Sequence, residues 1–254
     1  MDFISLLTQE YVVNFFLLYI RFSALLVFLP IFSHMAIPAR VKVLLAFYFT
    51  IMFYSEIPPI PLPDGFINLS VMILSEIFFA LMVGLVFQIV LAMLAYAGEQ
   101  ISFIMGFTMA SVMDPQTQTQ APLMSAFLSL IALMLLLAWD VHHLMIEFMH
   151  ESLKEITLGG FTTETSMMDY FIQEIGTLFV MGLTIAFPIL ALSLLVDIIF
   201  GMLMKTMPQF NLLVIGFPIK IGVSFTVLMA VLTAMMVIFQ EQFFKAFNAL
   251  EGLF

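Results

Sequence analysis

The sequence predicts an all-α membrane protein made of helical hairpins, with about six long apolar helices packed against partner subunits. Its composition is the first reason: 63% of the 254 residues are hydrophobic and 9% are charged, whereas soluble domains carry about 25% charged residues. The second reason is the length of the apolar runs. Crossing about 30 Å of hydrocarbon takes roughly 20 helical residues, and in lipid every backbone group must pair within its own segment.

Six apolar segments are candidates for these helices. They are residues 11–33, 41–55, 66–98, 123–147, 170–203 and 212–242. The second segment is too short to span a bilayer comfortably, and the third and fifth are too long for one straight span. Pro188 is expected to kink the fifth segment, and Gly84 and Gly98 are expected to let helices approach the third closely. Such uneven lengths indicate hairpins that pack against other proteins.

The connections between these segments differ in character. Residues 56–65, EIPPIPLPDG, contain four prolines and predict a stiff loop. Residues 150–169 are polar and acidic, and Gly159 and Gly160 mark a turn there. Residues 204–211 predict the tight tip of a hairpin.

The longest polar interruption is residues 106–122, GFTMASVMDPQTQTQAP, in which Asp114 is the single charge. Met105, Phe107, Met109 and Met113 lie on or beside it. Methionine is flexible and adapts its shape to varied neighbours. Glycine, small residues and methionine together predict a deformable seal without charge, whereas a specific small-molecule site needs fixed polar groups.

The charge balance excludes some functions and suggests an orientation. The net charge is −10, with 7 Lys and Arg residues, which argues against nucleic-acid partners and against a polybasic membrane-surface binder. The chain has no cysteine, so disulfides and thiolate metal sites are excluded.

The distribution of basic residues predicts an orientation in the membrane. Lys and Arg are in excess on cytoplasmic loops, which places the connections with Arg40, Lys42, Lys205 and Lys220 on the cytoplasmic side.

Three charges lie inside apolar segments, where charge is costly. They are Arg21, Glu76 and Asp197. One interpretation is an ion or proton relay. The structural interpretation is favoured, because the three charges are scattered rather than aligned along one path. In that interpretation Arg21 pairs with a carboxylate such as Glu76 or Glu99, and Asp197 caps or pairs near the hairpin tip that begins at Lys205.

A cluster of polar residues follows the fourth segment, in WDVHHLMIEFMH at 139–150. Asp140, His143, Glu147 and His150 fall broadly on one helical face. Zinc uses such ligands, but the H-E-x-x-H motif is absent and no second cluster supplies the missing ligands. We therefore interpret this stretch as the polar end of a helix and expect no metal, and we also expect no cofactor and no enzymatic activity.

Three sets of residues make the chain resemble a known family. The first is Gly106, Ala110, Asp114 and Pro115, spaced G-x-x-x-A-x-x-x-D-P. The second lies within VDIIFGMLMKTMPQFNLLVIGFPIK and comprises Asp197, Gly201, Pro208, Gln209, Asn211, Gly216, Pro218 and Lys220. The third is Arg21, Pro30, Pro38 and Lys42. Together they resemble the FliR family, the R component of the flagellar type III protein-export gate, and its injectisome counterparts.

The resemblance implies a function and partners. FliR-like proteins assemble with FliP and FliQ into a closed helical export channel at the centre of the flagellar basal body, and FlhB and FlhA act beside it. We therefore expect a non-enzymatic core subunit of this gate, which exports unfolded flagellar proteins. The expected location is the bacterial inner membrane, with the complex raised toward the periplasm.

The resemblance also implies a domain organisation and residue roles. Residues 1–254 would form one export-gate unit with a FliP-like part at 1–160 and a FliQ-like helical hairpin at 170–250.

The loop 106–122 is similar to the family's plug, which is polar because it faces an aqueous path and uncharged because it must not bind passing chains. The implied pore or plug residues are Met105, Gly106, Phe107, Met109, Ala110, Met113, Asp114 and Pro115. The implied hairpin-tip residues are Lys205, Pro208, Gln209, Asn211, Gly216, Pro218 and Lys220. One departure is Asp140-Val141-His142, where the family often has Asp-Gly-His.

Two other functions fit part of the sequence. A secondary transporter of a small solute would explain six segments, intramembrane charges and a broken region, but it also predicts a matching interruption in the other half of the chain, and we find none. A membrane scaffold without a pore fits the composition and gives no reason for the charge-poor polar interruption.

Overall fold

The architecture is helical, as the composition predicts. The structure is a computed structural model that describes residues 9–34, 36–57, 60–61, 63, 65–107, 122–161, 165–207 and 212–253. Within these residues the regular secondary structure consists of helices. Four of the described helices are long and apolar enough to cross a membrane, and a fifth span results if one bent pair counts as a single crossing.

Eight α-helices follow one another in the described part of the chain. They are α1 Gln9–Phe28, α2 Pro30–Ser33, α3 Ala39–Phe53, α4 Gly65–Met105, α5 Leu123–Ala138, α6 Val141–Glu155, α7 Thr165–Thr206 and α8 Phe217–Leu253. A 3-10 turn, Tyr54–Glu56, follows α3, and a π-helical turn, Leu212–Gly216, precedes α8. All six apolar segments are therefore helical, and α3, with 15 residues, is too short to span a bilayer.

Two helices are much longer than a membrane crossing requires. Helix α4 has 41 residues and α7 has 42, so each is about 60 Å long. Pro188 lies inside α7, where its ring removes one backbone hydrogen bond, and the helix nevertheless continues to Thr206. The expectation that the third and fifth segments exceed one straight span is confirmed.

The fourth apolar segment is broken, contrary to the prediction of one helix through residues 123–147. Helices α5 and α6 meet at an angle of 67°. Asp140 lies at the break with a left-handed φ of 55°, a region that Asp tolerates better than most residues. Since the left-handed residue is Asp140, Val141 is an ordinary helical residue and its branched side chain fits where the family often has glycine.

The described chain divides into two compact units. The first consists of the described parts of Met1–Gln88, Leu136–Phe171 and Ala246–Phe254. The second consists of the described parts of Ile89–Leu135 and Ile172–Lys245. The division into a FliP-like part at 1–160 and a FliQ-like part at 170–250 stays a prediction, because it concerns likeness to other proteins rather than internal contacts.

Aromatic packing attaches the short α3 to α1 inside the first unit. Phe22 is fully buried, and its ring centroid lies 6.3 Å from that of Phe49 and 5.8 Å from that of Phe53. The Tyr54 hydroxyl donates to the Tyr11 carbonyl at 2.9 Å. Aromatic pairs of this kind contribute about 0.5–1.5 kcal/mol each beyond their buried area. A helix too short to cross the bilayer is thus stabilised by its neighbour.

Two glycines of α4 permit close backbone contacts, as the sequence predicts. A Cβ at Gly84 would lie 2.9 Å from the carbonyl oxygen of Phe28, within the first unit. A Cβ at Gly98 would lie 2.6 Å from the backbone nitrogen of Ser125, within the second. Because backbone atoms cannot move aside as side-chain ends can, only glycine fits at these two contacts.

We expect Gly98→Ala to destabilise the second unit, because the added methyl group overlaps backbone. Overpacking of this kind costs about 1–3 kcal/mol. The matched control is Gly222→Ala in α8, where a Cβ meets nothing within 4 Å and alanine has the higher helix propensity by about 0.8–1.0 kcal/mol. The apparent melting temperature of the purified chain in detergent should fall for the first variant alone, and an equal fall for both would contradict this packing.

Candidate functional site

Inside the first unit Arg21 and Glu76 form a buried ion pair. Both side chains have an exposed fraction of 0%. The guanidinium meets the carboxylate with two donors, since Nε donates to Oε2 and Nη2 donates to Oε1 at 3.0 Å. The planar fork of arginine suits this two-point contact, whereas lysine offers a single point charge. Of the two carboxylates that the sequence analysis considered for Arg21, Glu76 is the partner.

The remaining donors of Arg21 hold the chain that leaves α6. Its Nη1 donates to the carbonyls of Ser152 at 3.1 Å and Ile156 at 2.9 Å. Its Nη2 donates to the Thr157 carbonyl at 3.2 Å. These carbonyls belong to the last turn of α6 and the residues just after it, where Ser152 also accepts the Ile156 N–H at 3.1 Å and Thr157 also accepts the Gly160 N–H at 3.0 Å. Arg21, which lies within α1, therefore adds hydrogen-bond donors at the end of α6 and ties the two segments together.

Glu76 and its neighbours complete the enclosure of this charge. The backbone N–H of Gly159 donates to Glu76 Oε1, and Gly159 has a φ of +73°, which favours glycine. The ring of Phe79 lies 5.3 Å from the Arg21 guanidinium carbon, a cation–π distance. The two charges neutralise each other away from water, and the cluster fixes the position of the chain that leaves α6.

A second ion pair joins the two arms of the α7–α8 hairpin inside the second unit. The Nζ of Lys220 donates to the two carboxylate oxygens of Asp197 at 2.8 and 2.7 Å. Lys220 is 9% exposed and Asp197 is 46% exposed. One helical turn further along each arm, the buried hydroxyls of Ser193 and Ser224 lie 2.9 Å apart. The two contacts run in opposite directions along the two arms, so α7 and α8 are antiparallel.

The beginning of the predicted plug contacts the first turns of α8, also inside the second unit. Met105 is fully buried at the end of α4. Gly106 has a φ of +87°, and a Cβ there would lie 3.0 Å from the ring of Phe217. The rings of Phe107 and Phe225 make an edge-to-face contact at 6.2 Å. The chain therefore leaves α4 at a fixed position against the hairpin.

The remaining predicted site residues fall into two groups. Lys205 is exposed at the end of α7, Gly216 is buried in the π-helical turn, and Pro218 lies at the second position of α8. The rest lie outside the described residues: Met109, Ala110, Met113, Asp114, Pro115, Pro208, Gln209 and Asn211.

Sequence reasoning missed several contacts of these sites. The Ser193–Ser224 pair had one available signal, because a hydroxyl in an apolar span needs a partner. The ring contact between Phe107 and Phe225 had none, since the chain contains 30 Phe residues and no pattern singles out a pair. The carbonyls that accept from Arg21 carry no side-chain signal at all.

Of the four polar residues that the sequence placed on one helical face, Asp140 precedes α6, whereas His143, Glu147 and His150 lie on it. His150 stacks on Phe53 at 4.9 Å between ring centroids. Its Nδ1 lies 3.3 Å from Glu56 Oε2. His143 Nδ1 lies 3.5 Å from Asp140 Oδ1. The structure thus separates His150 from the pair formed by Asp140 and His143.

The fold and these sites define a class, a helical membrane protein in which the intramembrane charges Arg21, Glu76 and Asp197 each have an oppositely charged partner within the described residues. Comparison with known proteins gives the family. The chain belongs to the bacterial export proteins, family 1, whose family model matches residues 12–246. This membership confirms the resemblance drawn from the sequence motifs.

Curated relatives support the same assignment. The chain is 31% identical to the flagellar biosynthetic protein FliR of Bacillus subtilis (strain 168) over 244 residues, which cover 94% of this chain and 93% of the relative. The protein of the same name from Pectobacterium carotovorum subsp. carotovorum is 28% identical over 96% of this chain and 94% of its own length. That of Escherichia coli (strain K12) is 25% identical over 92% and 90%. A membrane component of flagellar protein export is the function that these matches support.

We expect removal of either partner of the Arg21–Glu76 pair to be strongly destabilising. Arg21→Met or Glu76→Leu leaves a buried charge without its partner, which costs about 3–5 kcal/mol. The double variant should lose less than the two single losses combined. Arg40→Met is the matched control, because Arg40 is exposed. Additive losses, measured as apparent melting temperature in detergent, would contradict the pairing.

For the second pair we expect an asymmetry between the partners. Asp197→Leu leaves a nearly buried ammonium group unpaired, whereas Lys220→Met leaves a carboxylate that is 46% exposed and reaches water. Asp197→Leu should therefore lower the apparent melting temperature of the isolated chain more than Lys220→Met does. The reverse order would show that the burial of these two side chains does not control the energetics.

Proposed function

We propose that this protein is a core subunit of the flagellar type III export gate. With FliP-like and FliQ-like subunits it forms the channel through which unfolded flagellar proteins are exported. Family membership supports an export component, and one structural observation carries the more specific proposal. The chain enters the polar, charge-poor stretch from a buried point, where Gly106 and Phe107 contact Phe217 and Phe225.

In this proposal residues 106–122 are the plug of the channel. A loop that closes a channel must be held at a fixed point of attachment and be deformable along the rest of its length. The attachment is the end of α4, where Gly106 has a positive φ and lies close beside the ring of Phe217. The rest of the loop is rich in small residues, contains Met109 and Met113 and has one charge, so it deforms around varied side chains without binding them. The proposed constriction residues are Met105, Gly106, Phe107, Met109, Ala110, Met113, Asp114 and Pro115.

The lengths and surfaces of the helices support partners beyond lipid. Helices α4 and α7 are each about 60 Å long, roughly twice the hydrocarbon thickness. Large apolar side chains are exposed along α7, including Val180 at 63%, Phe187 at 62% and Ile198 at 64%. A helix that extends beyond lipid needs protein to cover such residues.

These faces fit FliP-like and FliQ-like neighbours in a hetero-oligomer in the bacterial inner membrane, with FlhB-like and FlhA-like proteins beside it. The assembly would belong to the flagellar basal body and rise toward the periplasm. The antiparallel α7–α8 hairpin, joined by Asp197–Lys220 and Ser193–Ser224, supports treating residues 170–250 as the FliQ-like part.

The proposed role needs no covalent chemistry. Both intramembrane carboxylates that the sequence analysis singled out, Glu76 and Asp197, are engaged in ion pairs, and the sequence contains no nucleotide-binding motif. The energy for export would come from other components of the apparatus. We therefore infer a conduit subunit and not an enzyme.

Co-purification tests the assembly. The chain is co-expressed with FliP-like and FliQ-like proteins of the same organism, purified through a tag on the FliP-like subunit, and imaged. We expect a stable complex that contains all three proteins, and a lower yield of folded chain when it is expressed without these partners. A chain that is stable alone as a small homo-oligomer, with no retention by these partners, would favour a solute carrier instead.

We expect deletion of residues 106–122 to make the assembled gate leaky to ions without preventing assembly. The reason is that the proposed seal is lost while the α7–α8 hairpin keeps its own contacts. The matched control replaces residues 116–120 with serines and keeps the length and polarity of the loop. Ion conductance of membranes containing the gate measures the result, and unchanged conductance in the deletion would refute the plug assignment.

A further inference from the structure

The break between α5 and α6 brings three metal-ligating side chains together. Each of Asp140, His142 and His143 offers one oxygen or nitrogen atom, and these atoms lie within 4.8 Å of one another. The two imidazole rings are 4.1 Å apart between centroids, and Asp140 Oδ1 lies 3.5 Å from His143 Nδ1. This trio differs from the set that sequence spacing suggested, because His150 contacts Glu56 and Phe53 instead.

One ring nitrogen of His142 lacks a partner. His142 Nδ1 is shielded from solvent and has no hydrogen-bond partner within the protein. A buried polar atom without a partner costs about 1–3 kcal/mol. Bonding to a metal ion would remove this cost, because the neutral imidazole nitrogen donates its lone pair to the metal.

The backbone at the break supports the arrangement. Asp140 adopts a left-handed conformation, which directs the chain through a bend of 67° into α6. His142 and His143 follow within the first turn of that helix. In a tetrahedral site with metal–ligand distances of about 2.0–2.1 Å, neighbouring ligand atoms are roughly 3.3 Å apart. Asp140 and His143 are both more than two-thirds exposed, so their side chains can rotate to close the remaining gap.

We propose that Asp140, His142 and His143 bind a divalent transition-metal ion, specifically Zn²⁺. Two imidazoles and a carboxylate form a common zinc ligand set that leaves a fourth position for water or another ligand. Two nitrogen ligands disfavour Mg²⁺, which requires oxygen ligands in octahedral geometry. The ion would link the residue at the break to the first turn of α6 and hold the bend between α5 and α6.

Metal titration of the full-length chain tests this site. The protein is purified in detergent through a tag without histidine, treated with a chelator, and dialysed against Zn²⁺ or Mg²⁺ alone before metal analysis. We expect one Zn²⁺ per chain, no Mg²⁺, and a rise in apparent melting temperature with Zn²⁺.

Two variants and one control make the assignment specific. Asp140→Asn keeps a residue that tolerates the left-handed conformation and removes the anionic ligand, while His143→Gln removes an exposed imidazole. Each should weaken Zn²⁺ binding at least tenfold and abolish the thermal shift. The control is His34→Gln, because His34 is exposed and its Nδ1 already accepts the Ala36 N–H at 3.2 Å. Absent Zn²⁺ binding, or equal affinity in all four proteins, would overturn the proposal.

Discussion

The cost of placing a charge among apolar helices constrains the first unit of this molecule. Arg21 lies in α1 with no solvent exposure. A guanidinium without a partner at this position would lower the stability of the fold strongly, because burying an unpaired charge is costly. Its five donors are distributed over Glu76 and the backbone where α6 ends. A single side chain thus holds α1, α4 and the chain that leaves α6 in one arrangement.

Close backbone contact complements these polar links. At Gly84 and Gly98 a neighbouring main chain occupies the space of a side chain, which allows the dispersion contacts that must replace hydrophobic driving force in lipid. Polar pairs fix the register of the helices, and glycine contacts fix their separation. The exposed apolar side chains of α7 contribute to neither, which is consistent with their contacting lipid or other subunits.

The sequence was sufficient for the helical class and for helix in all six apolar segments, and it named Glu76, beside Glu99, as a candidate partner of Arg21. These follow from composition and from the cost of buried charge, both of which act locally. It was insufficient for the break at Asp140, because a left-handed aspartate has no distinctive pattern in an apolar run. It also did not reveal the contact of Phe107 with Phe225, since any of many phenylalanines could occupy that position. The grouping of His142 with Asp140 and His143 depends on that same unforeseen bend, and the predicted plug residues Met109, Ala110, Met113, Asp114 and Pro115 lie outside the described residues.

The register of the α7–α8 hairpin has a mechanical consequence. The Asp197–Lys220 and Ser193–Ser224 contacts are one helical turn apart on each arm, so they pair only in one alignment of the two helices. A force along the helix axes must strain both contacts at the same moment, because sliding displaces them together. A sideways force meets them one after the other. The hairpin therefore resists shear better than it resists peeling.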